Sequence, residues 1–277
     1  MSYFKQFPKV PYDLLGTGAI QNVVDLHRSV RPVSQYLDSI TEYAFHTIPD
    51  GARPDIVSLK LYKNPEYYWT FFIINDFLAD GLPAWPLSEQ QLAAYIAENY
   101  SAQVIVTKPV VNTDSFGNVV DFQDNINAVS PNDTTSFLVG ETVQNDVIDG
   151  TPTATGTITQ INVDMNQLVI KPITGAFTAS DVVVGLASGR NVRAYKLYAE
   201  AVAPFYYYRS DDMVNMRPAT CPELYGVIDG TNTINDMPIV TNRQHIIAQN
   251  DSRSQMRIIS PEYIEAFAAE YMSLINK

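Results

Sequence analysis

The stretch between residues 52 and 100 contains the densest set of helix-start signals in this 277-residue chain. Asn64 and Pro65 predict one start, because an asparagine side chain caps free N–H groups and proline fits the first helical turn. Pro54 predicts an earlier start of the same kind. The stretch therefore predicts two short helices in tandem, the second of which ends near Asn75.

Apolar residues in these two helices recur at helical spacing and predict which sides are buried. A Tyr-Trp pair in the second helix could provide a platform for a sugar ring, but such a pair is more commonly part of a core. The predicted apolar sides consist of Ile56, Leu59 and Leu61 in the first helix and of Tyr68, Trp69, Phe72 and Ile73 in the second.

A third helix is predicted from Ser88 to about Tyr100. Ser88 and Gln91 have the spacing of a capping box, in which each side chain binds the backbone N–H group of the other residue. The apolar side of this helix is predicted to contain Leu92, Tyr95 and Ile96.

The residues before these helices predict an arm and a strand. Residues 1–35 are polar and interrupted by prolines, which indicates an extended arm with little core of its own. Alternation of Tyr43 and Phe45 predicts a strand, and the Pro-Asp-Gly sequence at 49–51 predicts a turn. We expect residues 36–103 to form one domain that contains this strand and the three helices.

The C-terminal residues 251–277 predict a strand followed by a helix. Ser260 and Pro261 indicate the helix start. The apolar side of this helix could pack on its own domain or on helices of another subunit, and it is a candidate interface. That side is predicted to contain Tyr263, Ile264, Phe267, Tyr271, Leu274 and Ile275.

Between the two ends, the apolar period changes from helical to alternating. Short runs rich in Val, Ile and Thr predict an all-β insert at residues 104–190, with its core at 128–190, in the form of a small barrel or sandwich. A weak repeat relates residues 137–143 to 177–183 and predicts a duplicated hairpin. Residues 191–250 predict an aromatic strand and a long loop at 212–240. The predicted fold class is therefore α+β.

Composition narrows the classes of partner. The chain has 30 acidic and 18 basic residues and a net charge of −12, and an acidic surface repels phosphate, so nucleic acid is disfavoured as a partner. The single cysteine, Cys221, cannot form a disulfide framework. The longest apolar runs are far shorter than the roughly 20 residues of a membrane span. These features predict no nucleic-acid partner and no membrane partner.

No arrangement of residues in the sequence predicts catalysis. His27, His46 and His245 are far apart in unrelated contexts. Asn and Asp alternate between residues 162 and 166 as in a calcium loop, but the glycine and the final glutamate of an EF-hand are missing, so a hairpin turn is the better interpretation. We expect no enzymatic activity, no cofactor and no metal.

The central stretch resembles a LysM module through an Asp-Ile-x-x-Leu start at Asp55, an Asn-Pro step and a closing Ile-Asn at residue 75. Lys63 departs from the pattern, since LysM modules usually have glycine there, and residues 77–87 match the expected return strand only weakly. The resemblance implies two helices between two strands and, in secreted proteins, binding of peptidoglycan or chitin. The residues that it implies for core or interface are Asp55, Ile56, Leu59, Tyr62, Asn64, Pro65, Tyr68, Trp69, Phe72, Asn75 and Trp85.

The order of motifs along the chain is similar to that of the baseplate wedge proteins of T4-like contractile-tailed phages, the gene-product-fifty-three type. The shared motifs are Arg53-Pro54-Asp55, Leu61-Tyr62, Asn64-Pro65, Tyr68-Trp69, Asn75-Asp76, Trp85, Ser88, Asn250-Asp251, Arg253, Arg257-Ile258-Ile259 and the helix after Pro261. This resemblance implies a structural subunit that clamps adjacent wedges of a tail baseplate and is assembled into virions in the host cytoplasm.

The same resemblance implies the partners. They are other baseplate wedge subunits and a sheath-initiator-like protein, with several copies of this chain in one symmetric assembly. The alternative function is that of a LysM-type peptidoglycan-binding protein associated with a phage tail.

Overall fold

The computed structural model describes residues 7–14, 16–25, 43–107, 110–113, 115, 119–123, 137–147, 150–162, 165, 167–179, 181–194, 196–209, 212–217 and 239–276. Helices and strands are mixed, so the predicted α+β class is confirmed. The chain divides into a terminal unit, formed by residues 1–92 and 248–277, and a middle unit, formed by residues 93–247.

The helices of the described residues are α1 (Pro54–Tyr62), α2 (Trp69–Ile74), α3 (Glu89–Asn99), α4 (Asn242–Ser254) and α5 (Ile264–Ile275). The strands are β1 (Lys9–Tyr12), β2 (Gln21–Val24), β3 (Tyr43–Thr47), β4 (Gln103–Val106), β5 (Val110–Thr113), β6 (Val119–Gln123), β7 (Thr142–Asn145), β8 (Thr155–Asn162), β9 (Gln167–Thr174), β10 (Val182–Gly185), β11 (Asn191–Arg193), β12 (Lys196–Ala199), β13 (Pro204–Arg209), β14 (Asp212–Arg217), β15 (Ile239–Thr241) and β16 (Gln255–Ile259).

The terminal unit is built from both ends of the chain. Strand β3 pairs in antiparallel register with β16, so that Tyr43 lies opposite Ile259. Within the terminal unit, these elements therefore follow one another in the order β3, α1, α2 and β16. Residues 77–87, which match the return strand of a LysM module only weakly, form no strand and contain 3₁₀ turns at Asp76–Leu78 and Leu82–Ala84.

Part of the predicted N-terminal arm has regular structure. Strands β1 and β2 form an antiparallel hairpin with Lys9 opposite Val24. Phe7 is buried in the core of the terminal unit, and Val24 packs against that core. The expectation that this segment makes little core is therefore wrong for Phe7.

Two of the predicted side-chain caps form, at Asn64 and at Ser88, whereas the one predicted at Ser260 does not. The Asn64 side chain accepts a hydrogen bond from the N–H of Glu66 at 3.0 Å, but it opens a 3₁₀ turn at Pro65–Tyr67 that precedes α2. Ser88 and Gln91 form the predicted capping box, with N–H to side-chain oxygen distances of 3.1 and 3.2 Å. In α3, Leu92 and Ile96 are buried, whereas Tyr95 is exposed and does not belong to the apolar side.

One helix boundary and one whole helix differ from the sequence predictions. Helix α5 begins at Ile264, after a turn in which the N–H of Tyr263 binds the carbonyl oxygen of Ser260. Helix α4 has no counterpart among the predictions and has no buried residue. The Thr241 hydroxyl and the Gln244 side chain cap its start reciprocally, so Thr-x-x-Gln was the available signal.

The main sheet of the middle unit has seven strands in the order β11-β10-β7-β8-β9-β4-β12. It extends beyond the predicted insert, since Gln103 and β12 also belong to it. The sheet curls, and its longest pair, β8 and β9, contains two register shifts that increase local twist. The hairpin predicted around residues 162–166 is confirmed by the pairing of Asn162 with Gln167.

The repeated segments adopt the same turn. Phe137 and Phe177 begin the two copies, and each is at least 96% buried. In each copy an acidic side chain accepts a hydrogen bond of 2.7 Å from a backbone N–H three residues earlier: Glu141 from Leu138 and Asp181 from Thr178.

The two copies are related by a local twofold axis. Val143 and Val183 occupy equivalent repeat positions, as do Asn145 and Gly185. The antiparallel register of β7 and β10 pairs Val143 with Gly185 and Asn145 with Val183. Exchanging the copies therefore leaves the pairing unchanged, and the predicted duplication is a pair of neighbouring turn-and-strand units.

The rest of the middle unit contains a three-stranded sheet of order β14-β13-β15 and the hairpin β5-β6. The predicted loop at 212–240 is wrong at both ends, where β14 and β15 are strands that pair with β13. Residues 218–238, with Cys221, lie outside the described residues, as do His27, Asp164 and Asn166.

Candidate functional site

Two asparagine side chains join the widely separated parts of the terminal unit. Asn75 accepts a hydrogen bond from the N–H of Arg257 at 2.9 Å and donates one to its carbonyl oxygen at 3.0 Å. Asn250 makes the same pair of bonds with the backbone of Leu87, at 2.8 and 3.0 Å. Each amide satisfies one donor and one acceptor of a distant backbone, so these contacts fix the two chain ends to one another.

Tyr62 makes a further connection between the first helix and the last strand. Its hydroxyl donates to the carbonyl oxygen of Ile259 at 2.9 Å, and its ring stacks on Phe71 at a centroid distance of 6.0 Å. Burial raises the pKa of the Tyr62 hydroxyl far above its ordinary value, against smaller opposing effects of hydrogen bonds with Thr70 and Ile259. The buried hydroxyl is therefore held in its neutral, donating form.

The C-terminal helix completes this core. The ring of Trp69 stacks on Phe267 at 6.2 Å and lies 5.1 Å from the ring of Tyr271. Ile264, Phe267, Tyr271 and Ile275 are all at least 97% buried. Their side of α5 packs on its own unit, which is one of the two alternatives left open by the sequence. The prediction that this side is an intersubunit interface is therefore wrong for these four residues, while Tyr263 and Leu274 are half-buried.

Trp85 forms the floor of a groove at the start of α1. Its indole N–H donates to the carbonyl oxygen of Ala52 at 2.8 Å, and its ring lies 5.9 Å from Phe71 and 5.7 Å from Phe72. These contacts hold the loop before α3 against the turn before α1. Trp85 is only 8% exposed, so its ring supports the groove and does not offer an open face.

The groove has a volume of about 510 Å³. At its rim, Arg53 and Asp55 form a bidentate ion pair with distances of 3.1 and 3.0 Å. Leu82 lies at another edge and is 66% exposed. The lining residues are Gly51, Ala52, Arg53, Pro54, Asp55, Tyr68, Leu82, Trp85, Pro86, Leu87 and Gln91. A concave, mainly apolar wall with one ion pair at its rim suits an apolar side chain of a peptide segment.

The structure separates the predicted site residues into three groups. Tyr62, Trp69 and Asn75 are core residues, and Asn64 and Pro65 form a cap. Asp55, Tyr68 and Trp85 line the groove, while Phe72 is half-buried beside Trp85.

The predicted apolar side of the first helix is wrong. Ile56 and Leu59 are 42% and 44% exposed, whereas Val57 is 1% exposed and Tyr62 is buried. The core contribution of α1 comes from the opposite side of the helix, together with the half-buried Leu61. The sequence interpretation missed Val57, Phe71 and Ile74 as core residues and Asn250 as a connector.

Within the part of the chain that the structure describes, no group of three or more His, Cys, Asp or Glu side chains could hold a metal ion. No helix among the described residues is long and apolar enough to cross a membrane. Comparisons of the chain with protein-family models, with curated proteins and with solved structures found no match.

Proposed function

We propose that this protein is a structural subunit of a contractile phage tail baseplate, where it clamps adjacent wedges through protein–protein contacts. One observation carries the proposal. The motifs that resemble the wedge family lie at both ends of the sequence, and Asn75 and Arg257, which belong to two of them, bind one another directly. Two sets of motifs that occur together in one family thus belong to one physical unit here.

The LysM-like interpretation supports the same proposal. Such a module has two helices between two strands, and β3, α1, α2 and β16 follow that order with the antiparallel pairing of its strands. In this chain the return strand follows a long insertion, which explains why residues 77–87 match it poorly. In sequence, the module is interrupted by the residues of the middle unit.

We expect the groove beside Trp85 to receive protein. Trp85 is buried against Phe71 and Phe72, and Tyr68 is half-buried, so neither ring is a free platform for a sugar. The exposed Leu82 at the edge suits an apolar anchor of a partner. The proposed partners are the other wedge subunits and a sheath-initiator-like protein, in several copies within the tail baseplate of the virion.

Light scattering tests this proposal. The mass of the purified protein is measured alone and after mixing with the wedge subunits of the same phage. We expect a complex of higher mass in the mixture, and a loss of that complex for Leu82→Glu, which places a charge in the groove. Ala94→Glu, on an exposed position of α3, is the matched control. Unchanged masses in every mixture would contradict the proposal.

The resemblance to LysM modules implies a second candidate function, binding of peptidoglycan, for which the groove beside Trp85 is the concave surface at the start of α1. Sedimentation with purified cell-wall sacculi tests it. Retention of the wild-type chain, with loss of retention for Tyr68→Ala, would establish glycan binding in place of the wedge role. Recovery of the chain in the supernatant would remove this candidate.

A further inference from the structure

Two exposed helix sides of the terminal unit are complementary in charge and in size. Helix α1 presents Ile56, Leu59 and Lys60 to solvent at the spacing i, i+3, i+4 of one helical side, and Lys63, the exposed residue that ends the helix, follows them. We call these four residues the α1 outer face. Two bulky aliphatic side chains lie at its beginning and two lysines at its end.

Helix α5 and the turn before it present the opposite chemistry. Glu262, Glu265, Ala266 and Ala269 are exposed and have the same spacing of i, i+3, i+4, i+7. We call them the α5 outer face. Two carboxylates lie at its beginning and two small residues at its end. A groove of about 420 Å³ borders it, lined by Asn64, Glu66, Tyr67, Trp69, Glu265, Ala268, Ala269 and Met272.

We propose that the α1 outer face of one copy of this chain docks antiparallel on the α5 outer face of another copy. In one antiparallel register, all four positions match at once. Bulky residues then oppose alanines and lysines oppose glutamates, in the pairs Ile56–Ala269, Leu59–Ala266, Lys60–Glu265 and Lys63–Glu262.

The charges of the two outer faces favour a second copy of this chain as the partner. The α1 outer face carries two lysines and the α5 outer face carries two glutamates, so the local charges of the two faces attract one another even though each whole chain carries a net charge of −12. Among the described residues, neither lysine forms an ion pair with a carboxylate. Each face extends over seven residue steps of one helix and its adjoining cap or turn, which corresponds to about 10 Å at the helical rise of about 1.5 Å per residue. The lengths of the two faces therefore agree.

The contact is heterologous, since two different faces meet. Such contacts generate rings when the rotation closes, which suits a protein present in several copies of one symmetric assembly. A contact this small is weak in solution, but copies held side by side experience a millimolar effective concentration. The inference itself does not rest on the baseplate proposal, because its test requires this chain alone.

Disulfide trapping tests the register. On a Cys221→Ser background, one sample carries Leu59→Cys and an isotope-labelled sample carries Ala266→Cys, and the two are mixed under mild oxidation. Intact mass distinguishes the mixed disulfide from the two homodimers. We expect the mixed species to exceed each homodimer by about fivefold or more, as two exposed ion pairs and matched side-chain sizes favour it. A mixed species that only reaches the statistical amount, about twice each homodimer for random pairing of equal concentrations, would overturn the proposal.

Charge reversal provides the control. Lys60→Glu with Lys63→Glu in the first chain is expected to lower the yield of mixed disulfide about fivefold. Glu262→Lys with Glu265→Lys in the second chain is expected to restore it. All these positions are exposed, and tryptophan fluorescence verifies the fold of each variant. A yield of mixed disulfide that does not change on reversal of the lysines would also overturn the proposal, as would a yield that reversal of the glutamates does not restore. Both outcomes are independent of the result with wedge subunits.

Discussion

The side-chain amide of Asn75 binds both the N–H and the carbonyl oxygen of Arg257, which is 182 residues away in sequence. Asn75 is 4% exposed and also donates to the carbonyl oxygen of Phe71 at 2.8 Å. It thereby connects the end of α2 to the middle of β16. The strand that completes the terminal unit is held on one edge by β3 and on the other by this amide.

Asn75→Ala is expected to destabilise the terminal unit by about 2–4 kcal/mol, because it leaves the N–H of Arg257 and two carbonyl oxygens without their partner. Both tryptophans of the chain, Trp69 and Trp85, lie in this unit. Urea unfolding followed by tryptophan fluorescence therefore measures the change. Asp76→Ala, at the exposed neighbouring position, should change the free energy of unfolding by less than about 0.5 kcal/mol. Equal effects of both variants would contradict the role of the amide.

The two repeat copies offer a matched comparison in the middle unit. Glu141 is 6% exposed and accepts hydrogen bonds from Leu138, Ala187 and Ser188, the last through both its N–H and its hydroxyl. Its counterpart Asp181 binds the N–H of Thr178 at an exposed site.

Glu141→Ala should therefore destabilise the middle unit by about 3 kcal/mol and Asp181→Ala by about 1 kcal/mol or less. Hydrogen exchange of peptides from β7 and β8 measures both changes. An effect of Asp181→Ala as large as that of Glu141→Ala would contradict the greater stabilisation expected from the buried hydrogen bonds of Glu141.

Buried Tyr62 predicts a loss of stability at alkaline pH. Burial raises its pKa in the folded state, so above a pH of about 10 the unfolded chain loses this proton while the folded chain retains it. The unfolded state then binds fewer protons, and the free energy of unfolding of the terminal unit falls as pH rises, by up to about 1.4 kcal/mol per pH unit.

Tyr62→Phe separates this contribution from those of the other tyrosines. At pH 7 the variant should be about 1 kcal/mol less stable, because the bond to Ile259 is lost. Above pH 10 its stability should fall less steeply than that of the wild type. Parallel pH curves of the two proteins, measured by urea unfolding, would contradict the assigned role of the hydroxyl.

Lys63 ends α1 in a left-handed conformation with φ of 59°, the one non-glycine residue with positive φ in the described part of the chain. A side chain in this conformation costs about 1–2 kcal/mol, part of which glycine would recover. Lys63→Gly should therefore stabilise the terminal unit by up to about 1 kcal/mol in thermal unfolding, whereas Lys60→Gly, inside the helix, should destabilise it by about 1 kcal/mol.

The same substitution connects stability with the contact between copies. If Lys63 is retained for its charge on the α1 outer face, Lys63→Gly should weaken the disulfide trapping of two copies while the fold becomes more stable. A variant that is stabilised and traps as well as the wild type would show that Lys63 has no part in the contact.

Local chemistry explains which features the sequence predicts. Asn64 and the Ser88–Gln91 pair cap helices through residues two or three positions away, so their roles are visible in the sequence. The buried side of α1 cannot be identified from the sequence, because apolar residues occur on both sides of this helix. Tertiary packing buries Val57 and leaves Ile56 exposed. None of the residues of helix α4 is buried, so this helix has no core side that would give its sequence an apolar period.

Non-local pairing explains what the sequence does not predict. Strand β16 has the composition of many short strands, and its pairing with β3 depends on a partner about 200 residues away. The groove beside Trp85 likewise requires the loop before α3 to meet the turn before α1. Such sites become visible only when the distant segments have been brought together.

Native-state hydrogen exchange tests most directly the claim that the two chain ends form one unit. The exchange free energies of the Arg257 N–H and of buried amides in α2, such as that of Ile74, are measured by NMR in wild type and in Asn75→Ala. We predict equal values for both amides in the wild type and an equal decrease in the variant. An Arg257 N–H that exchanges through an opening several kcal/mol lower, while α2 remains protected, would contradict the account.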